Sequence, residues 1–241
     1  MKTYFIHIRK TAGTAMREQI KFNVETDKIC PELSEFELFA KHKEADITSY
    51  LSQFDFYSGH YYTLPKYLDE NVFIFTILRE PIARCISDIN QIYGDEKDLL
   101  HKYVINKKII DILDDEKVKN VIENTQTKQL VSNAGYEYNK LNDQERIDIA
   151  KSYLDSIGFF GLQEQFQTSI YLLAKMLDWK IPNEIKVLNT KTTEKGMKTH
   201  HNIHFMSKIY NLNKLDIQVY NYAAKKFDML VVSKLKEMNG Y

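Results

Sequence analysis

The feature that most constrains this chain is the run Val72-Phe73-Ile74-Phe75-Thr76-Ile77-Leu78, almost wholly apolar and flanked by polar sequence on both sides. A strand with one wet face alternates; a run without alternation has both faces buried, as strands inside a parallel sheet do. It stops at Arg79-Glu80-Pro81, and Pro81 fits the first turn of a helix covering about 81–93. The N-terminus has the same grammar. Residues 3–8 (TYFIHI) are β-branched and aromatic, then come Thr11-Ala12-Gly13-Thr14 and the helix-compatible Ala15-Met16-Arg17-Glu18-Gln19-Ile20. Strand, small-residue turn and helix open an α/β unit.

The rest fills in around these two units. Phe54 to His60 alternates like a strand that stops at Gly59, after a mixed stretch, 31–53, of short helices and loops. Residues 95–124 read as one or two amphipathic helices, and 143–156 as a further helix. The short strand Gly158–Leu162 feeds a helix over 164–178. Ile185 to Leu188 reads as a last strand and Asn189 to Asn202 as a polar loop. The sequence then stays helical to the end, with Leu212, Leu215, Val219, Tyr222 and Ala223 spaced for one face. The expectation is a single α/β domain over 1–241, with a P-loop-like (nucleoside-kinase-like) three-layer fold, a central mainly parallel sheet and additional helices.

Composition narrows the function. Lys+Arg and Asp+Glu both number 33, so the net charge is zero. That argues against a protein that coats nucleic acid, although it leaves room for a local basic pocket. Cys30 and Cys85 stand in no metal or redox spacing and read as unpaired thiols of a reducing compartment. The apolar run at the N-terminus is too short for a signal peptide, and no stretch approaches the roughly 18 apolar residues of a spanning helix. The expected setting is the cytoplasm, without an integral membrane segment.

Three segments carry chemistry. In His7-Ile8-Arg9-Lys10-Thr11-Ala12-Gly13-Thr14-Ala15, small residues between strand and helix let the backbone wrap an anion, and Lys10 adds a full positive charge to the helix's partial one. An ordinary βα turn is the plain alternative. A Walker A loop ending at Lys10-Thr11 needs glycines where Tyr4 and Arg9 stand, which disfavours an ATPase or kinase of that type. In the second segment Arg79 stands at the carboxyl edge of a buried strand, with Ser87 about two helical turns on; guanidinium and hydroxyl can hold one phosphate from two sides. The third is Ser58-Gly59-His60, where a neutral imidazole at a strand end suits proton removal from a hydroxyl. Tyr57, Tyr61 and Tyr62 beside it can stack on a sugar or can be ordinary strand aromatics. His200, His201 and His204 cluster without a matching further ligand, so no metal site is assigned.

Taken in order, these segments resemble the sulfotransferases, specifically the branch containing heparan sulfate 2-O-sulfotransferase. Residues 7–14 are similar to that family's His-Ile-Pro-Lys-Thr-Ala-Gly-Thr, with Arg9 in place of proline. Arg79, Glu80, Pro81, Arg84 and Ser87 fit its Arg-Asp/Glu-Pro-x-x-Arg-x-x-Ser, and Gly59-His60 fits its Gly-His element. Gly161 to Phe166 with Ser169 looks like its later strand–helix element, and Lys191 to Lys195 like its nucleotide-covering loop.

The resemblance implies transfer of a sulfuryl group from 3′-phosphoadenosine 5′-phosphosulfate (PAPS) to a hydroxyl of a glycan or other acceptor, leaving 3′-phosphoadenosine 5′-phosphate (PAP) and requiring no metal. By that likeness Arg9, Lys10, Thr11, Ala12, Gly13, Thr14 and Ala15 cradle the 5′-phosphosulfate, and Lys10 neutralises the leaving oxygen. Arg79 and Ser87 bind the 3′-phosphate, His60 is the general base, and Lys191, Thr192, Thr193 and Lys195 cover the nucleotide. Arg9 frees an N–H at the loop entrance and brings extra positive charge toward the acceptor side. A small-molecule kinase or other phosphotransferase using ATP, and a non-catalytic nucleotide- or glycan-binding protein, stand as the other readings.

Overall fold

The computed structural model describes residues 1–181 and 203–238. Four parallel strands make one sheet: β1 (Thr3–Ile6), β2 (Phe56–Gly59), β3 (Phe73–Leu78) and β4 (Phe159–Leu162), in the order β2-β1-β3-β4. In chain order the helices are α1 (Gly13–Asn23), α2 (Glu35–Lys41), α3 (Glu44–Leu51), α4 (Pro81–Gly94), α5 (His101–Val104), α6 (Ile109–Ile112), α7 (Glu116–Ile122), α8 (Thr125–Asn133), α9 (Asp143–Ser156), α10 (Phe166–Leu177), α11 (Ile203–Leu212) and α12 (Lys214–Met238). The chain is therefore an α/β protein, and its sheet is all-parallel among the described residues. No helix among the described residues is long and apolar enough to cross a membrane.

Every residue of β1 and β2 is buried, as are the last four of β3, which is the burial that an unbroken apolar run requires. Phe5 and Phe75 stack across neighbouring strands at 5.0 Å. Trp179, just past the end of α10, packs against Phe56 and Phe75. Each such aromatic contributes about 1.5–3 kcal/mol by leaving water.

Strand order and register decide where loops emerge. From β1 the chain moves outward to β2, crosses back past β1 to β3, and continues to β4, so the winding reverses between β1 and β3. Outside the carboxyl ends of the strands, such a reversal leaves a crevice. Ile6 is in register with Gly59 on one side and Thr76 on the other. His7 and His60 therefore leave the sheet side by side, and Arg79 leaves β3 next to the loop that follows His7.

Two helices behind this edge cap each other. Asn124, in the left-handed region at φ 42°, accepts from the N–H groups of Leu215 and Asp216 at the start of α12. Asp216 in return accepts from the N–H groups of Gln126 and Thr127 at the start of α8. Each thereby satisfies donors that a helix start leaves unpaired.

Several expectations need correction. Residues 95–124 form three short helices, α5 to α7, because turns interrupt them and Asp115 caps a new start by accepting from Lys117 and Val118. The C-terminal helical sequence is two helices, not one face: Leu212 ends α11, buried Asn213 intervenes, and the buried stripe of α12 is Leu215, Val219, Ala223 and Phe227, with Tyr222 turned to Asp155. The helix expected over 164–178 opens with a 3₁₀ turn, Gln163–Gln165. Tyr57 and Tyr61 are core residues, 1% and 0% exposed. Their hydroxyls are spent on the carbonyls of Leu51 and Phe54, and of Glu32, so neither can stack on a sugar. The strand at 185–188 and the loop at 189–202 lie outside the described residues.

Candidate functional site

The loop from β1 into α1 is built tightly. Lys10 and Ala12, neither a glycine, both sit at φ 67°. Left-handed backbone costs such residues of order 1–2 kcal/mol, and left-handed residues in a turn are one ingredient of an anion nest. Thr11, fully buried, holds the turn by donating its hydroxyl to the Ile8 carbonyl at 2.9 Å. Ala12 is the N-cap of α1 and offers no side-chain cap, and no acidic residue stands in the first turn. At α4, by contrast, Glu80 accepts from the N–H groups of Ile82 and Ala83, with Pro81 following it. The positive end of α4 is answered by a carboxylate, and that of α1 by no acidic side chain of its own first turn.

Arg79 meets this loop. Its Nη1 donates to the Lys10 carbonyl at 3.1 Å, while its own backbone is held at both groups by the Gln126 amide, at 2.9 and 2.8 Å. Lys10 Nζ donates to Gln91 Oε1 of α4 at 2.6 Å. Among the described residues neither Lys10 nor Arg79 has a carboxylate within ion-pair distance. Burial lowers the pKa of both; Asp88 and Asp98 oppose this at Lys10 while Arg9 and Arg79 add to it, and Glu164 and Glu80 oppose it at Arg79. Two cations are thus held together at the sheet edge with no described carboxylate in direct contact, while these four act on them from farther away. Ser87 stands one helical turn before Gln91, on the same side of α4, half-buried and with its hydroxyl bonded to no described residue.

Arg9 behaves differently. Nε donates to Asp88 and Nη2 to Asp98, both at 2.7 Å, and both carboxylates are at most 5% exposed. The charge expected toward the acceptor side is consumed in tying the loop to α4 and to the segment before α5. Arg84, fully buried, is also a structural cation: it donates to the Ile122 carbonyl at 2.7 Å and lies near Asp88 and Asp216.

His60 lies beside the same loop. Its Nδ1 is 2.8 Å from the His7 carbonyl, an oxygen that can only accept, so Nδ1 carries the proton and Nε2 holds the lone pair. Burial lowers the His60 pKa, with Arg9 and Arg17 acting in the same direction against the raising effect of that hydrogen bond. The ring is therefore neutral near pH 7. Gly59 before it has no room for a side chain, since a Cβ there would lie 2.6 Å from the Leu33 carbonyl oxygen.

The structure thus brings Arg9, Lys10, Thr11, Ala12, Gly13, Thr14, Ala15, His60, Arg79 and Ser87 to one edge of the sheet or to the elements leading from it. Lys191, Thr192, Thr193 and Lys195 lie outside the described residues. Sequence reasoning missed the support. Gln126, Gln129 and Asn133 of α8 are nearly fully buried and bind the backbone of all three loops: Gln126 that of Arg79, Gln129 the carbonyls of His7 and Tyr61, and Asn133 the carbonyl of Tyr61. Their spacing at three and four residues was a visible polar stripe, but it reads equally as a solvated face. A cavity of about 570 Å³ opens elsewhere, among Leu154, Phe159, Phe160, Tyr171 and Leu230, and no residue of the three loops lines it. Its lining also carries Lys175, Lys226 and Lys234, with Lys226 paired to Asp155 and Lys234 to Glu237.

No family model matches this chain, and no curated protein matches its sequence.

Proposed function

We propose that the chain is a sulfotransferase with a P-loop-like fold, taking PAPS as donor and a hydroxyl, most naturally of a saccharide or glycan, as acceptor. The observation that carries this reading is the Lys10–Arg79 contact: two cations with no carboxylate within ion-pair distance among the described residues, joined through the Lys10 carbonyl, at the point where the strand order reverses. Such a pair suits a ligand with a negative group at each of two positions, and the Ser87 hydroxyl, bonded to no described residue, adds a donor on the neighbouring helix.

In the reaction the acceptor oxygen attacks sulfur as its proton passes to His60 Nε2. The bond from sulfur to the bridging oxygen breaks, and the electron pair stays on that oxygen, whose charge Lys10 neutralises. The products are the sulfate ester and PAP. In-line displacement of this kind depends on positioning and fixed charge, by analogy with phosphoryl transfer. A base that is neutral with its lone pair on Nε2 is in the required state before the reaction begins.

Transfer of labelled sulfate from PAPS onto a panel of desulfated glycans and small alcohols tests the reading. Transfer should be observed, and His60→Ala should cut turnover by roughly 10²–10⁴-fold while PAP still raises the melting temperature. Label moving from ATP–Mg²⁺ but not from PAPS would replace this reading with a phosphotransferase. Nucleotide binding without transfer to any acceptor would favour a binding protein.

A further inference from the structure

Resting on the reading of His60 as the base, we propose that Arg17 and His7 are positioning residues for it: the Arg17 guanidinium locks the His7 ring, and that ring in turn holds His60 by stacking. The geometry is specific. His7 lies between Phe5 and His60, with ring centroids 5.5 and 4.3 Å away and interplanar angles of 16° and 29°. Arg17 Nη2, from the second turn of α1, is 3.2 Å from His7 Nδ1. A guanidinium can only donate, so His7 Nδ1 accepts and its proton sits on Nε2, the opposite tautomer to that of His60. Gly13 completes the slot: a Cβ there would lie 1.6 Å from His7 Nε2, so the ring occupies the space that any other residue would fill.

Among the described residues, charges from three elements face the pair. His7 faces Arg9 and Lys10 of its own loop, Arg17 of α1 and the His60 ring. His60 faces Arg9, Arg17 and Asp88 of α4, and the carbonyl it donates to also accepts from Gln129 of α8. Arg17 in turn faces Glu37 of α2 and Tyr61. Burial, the His60 ring and these cations lower the His7 pKa well below its ordinary value. A neutral His7 is the partner the base needs, because a second imidazolium at this stacking distance would repel the proton that His60 must accept. Neither the loop motif nor the Gly-His element identifies Arg17, and its role follows only from the fold.

Nitrogen-15 NMR of histidine-labelled protein tests this without an acceptor. The wild type should show His60 as the Nδ1–H tautomer and His7 as the Nε2–H tautomer at pH 7. In Arg17→Met the His60 titration midpoint should move up, and the His7 signal should become a mixture of tautomers. Arg17→Lys, which keeps the charge, should retain a midpoint near that of wild type; it also serves if the methionine variant fails to fold. Unchanged tautomers and an unchanged His60 midpoint in folded Arg17→Met would overturn the proposal. The predicted NMR pattern in a protein that transfers no sulfate would keep the pairing and remove only the sulfotransferase reading.

Discussion

At the scale of single residues, the site depends on what two glycines leave empty and on two rings that stay uncharged. Gly13→Ala would drive a methyl into the His7 ring. The ring must move or the helix start must shift, so we predict a loss of about 1–3 kcal/mol in urea unfolding together with a loss of most of the PAP-induced thermal shift. The two histidines also set a pH dependence. Both have folded pKa values below the unfolded value of about 6.5, so between the two values the unfolded chain binds more protons. Their contribution is intact above about pH 6.5 and is lost as pH falls below it. Urea midpoints should therefore drop between pH 7.5 and 5.5, and drop less in His7→Phe, which keeps an aromatic ring but cannot titrate; equal drops would remove His7 from this account. His60 and Lys10 were legible in the sequence because each stands where a strand runs out. The His7 stack was not, because it depends on Ile6 pairing with Gly59, a register that exists only between strands 53 residues apart in sequence.

At the scale of elements, α8 and α12 are the frame behind the loops. Asp216, fully buried, caps α8 and lies near the equally buried Arg84. Asp216→Ala should cost about 3–5 kcal/mol, the range for stranding a buried charge. Asn124→Ala removes the cap of α12 and places alanine in left-handed backbone, and should cost about 1–2 kcal/mol. Urea unfolding of the two variants checks the order, and similar losses would show that Arg84 finds another partner. The helices expected over 81–93 and 143–156 were readable in the sequence, the first from Pro81; the structure adds that Glu80 caps the first and an Asn142–Glu145 capping box opens the second. Residues 95–140 were not. There the chain breaks into short pieces, and the decisive side chains of α8 are amides, whose polarity in sequence points to water rather than to three backbone loops.

At the scale of the whole molecule, zero net charge conceals an uneven distribution. Arg9 and Arg84 form ion pairs with carboxylates, whereas among the described residues Lys10 and Arg79 have none within ion-pair distance, and the sheet order sets these two beside each other. The apolar strands and the strand–turn–helix units were evident in the sequence, so the α/β class could be read directly. The order of the strands could not, since nothing in Val72–Leu78 states which neighbours it takes. The central claim is that the edge at β1 and β3 grips two separate anionic groups of one nucleotide, and calorimetric titration with PAP and with adenosine 5′-phosphate tests it most directly. Hydrogen bonds to a charged group contribute about 1.5–3 kcal/mol, so PAP should bind roughly 10–100-fold more tightly, and Arg79→Ala should erase that difference. Equal affinities for the two nucleotides in the wild-type protein would contradict the account.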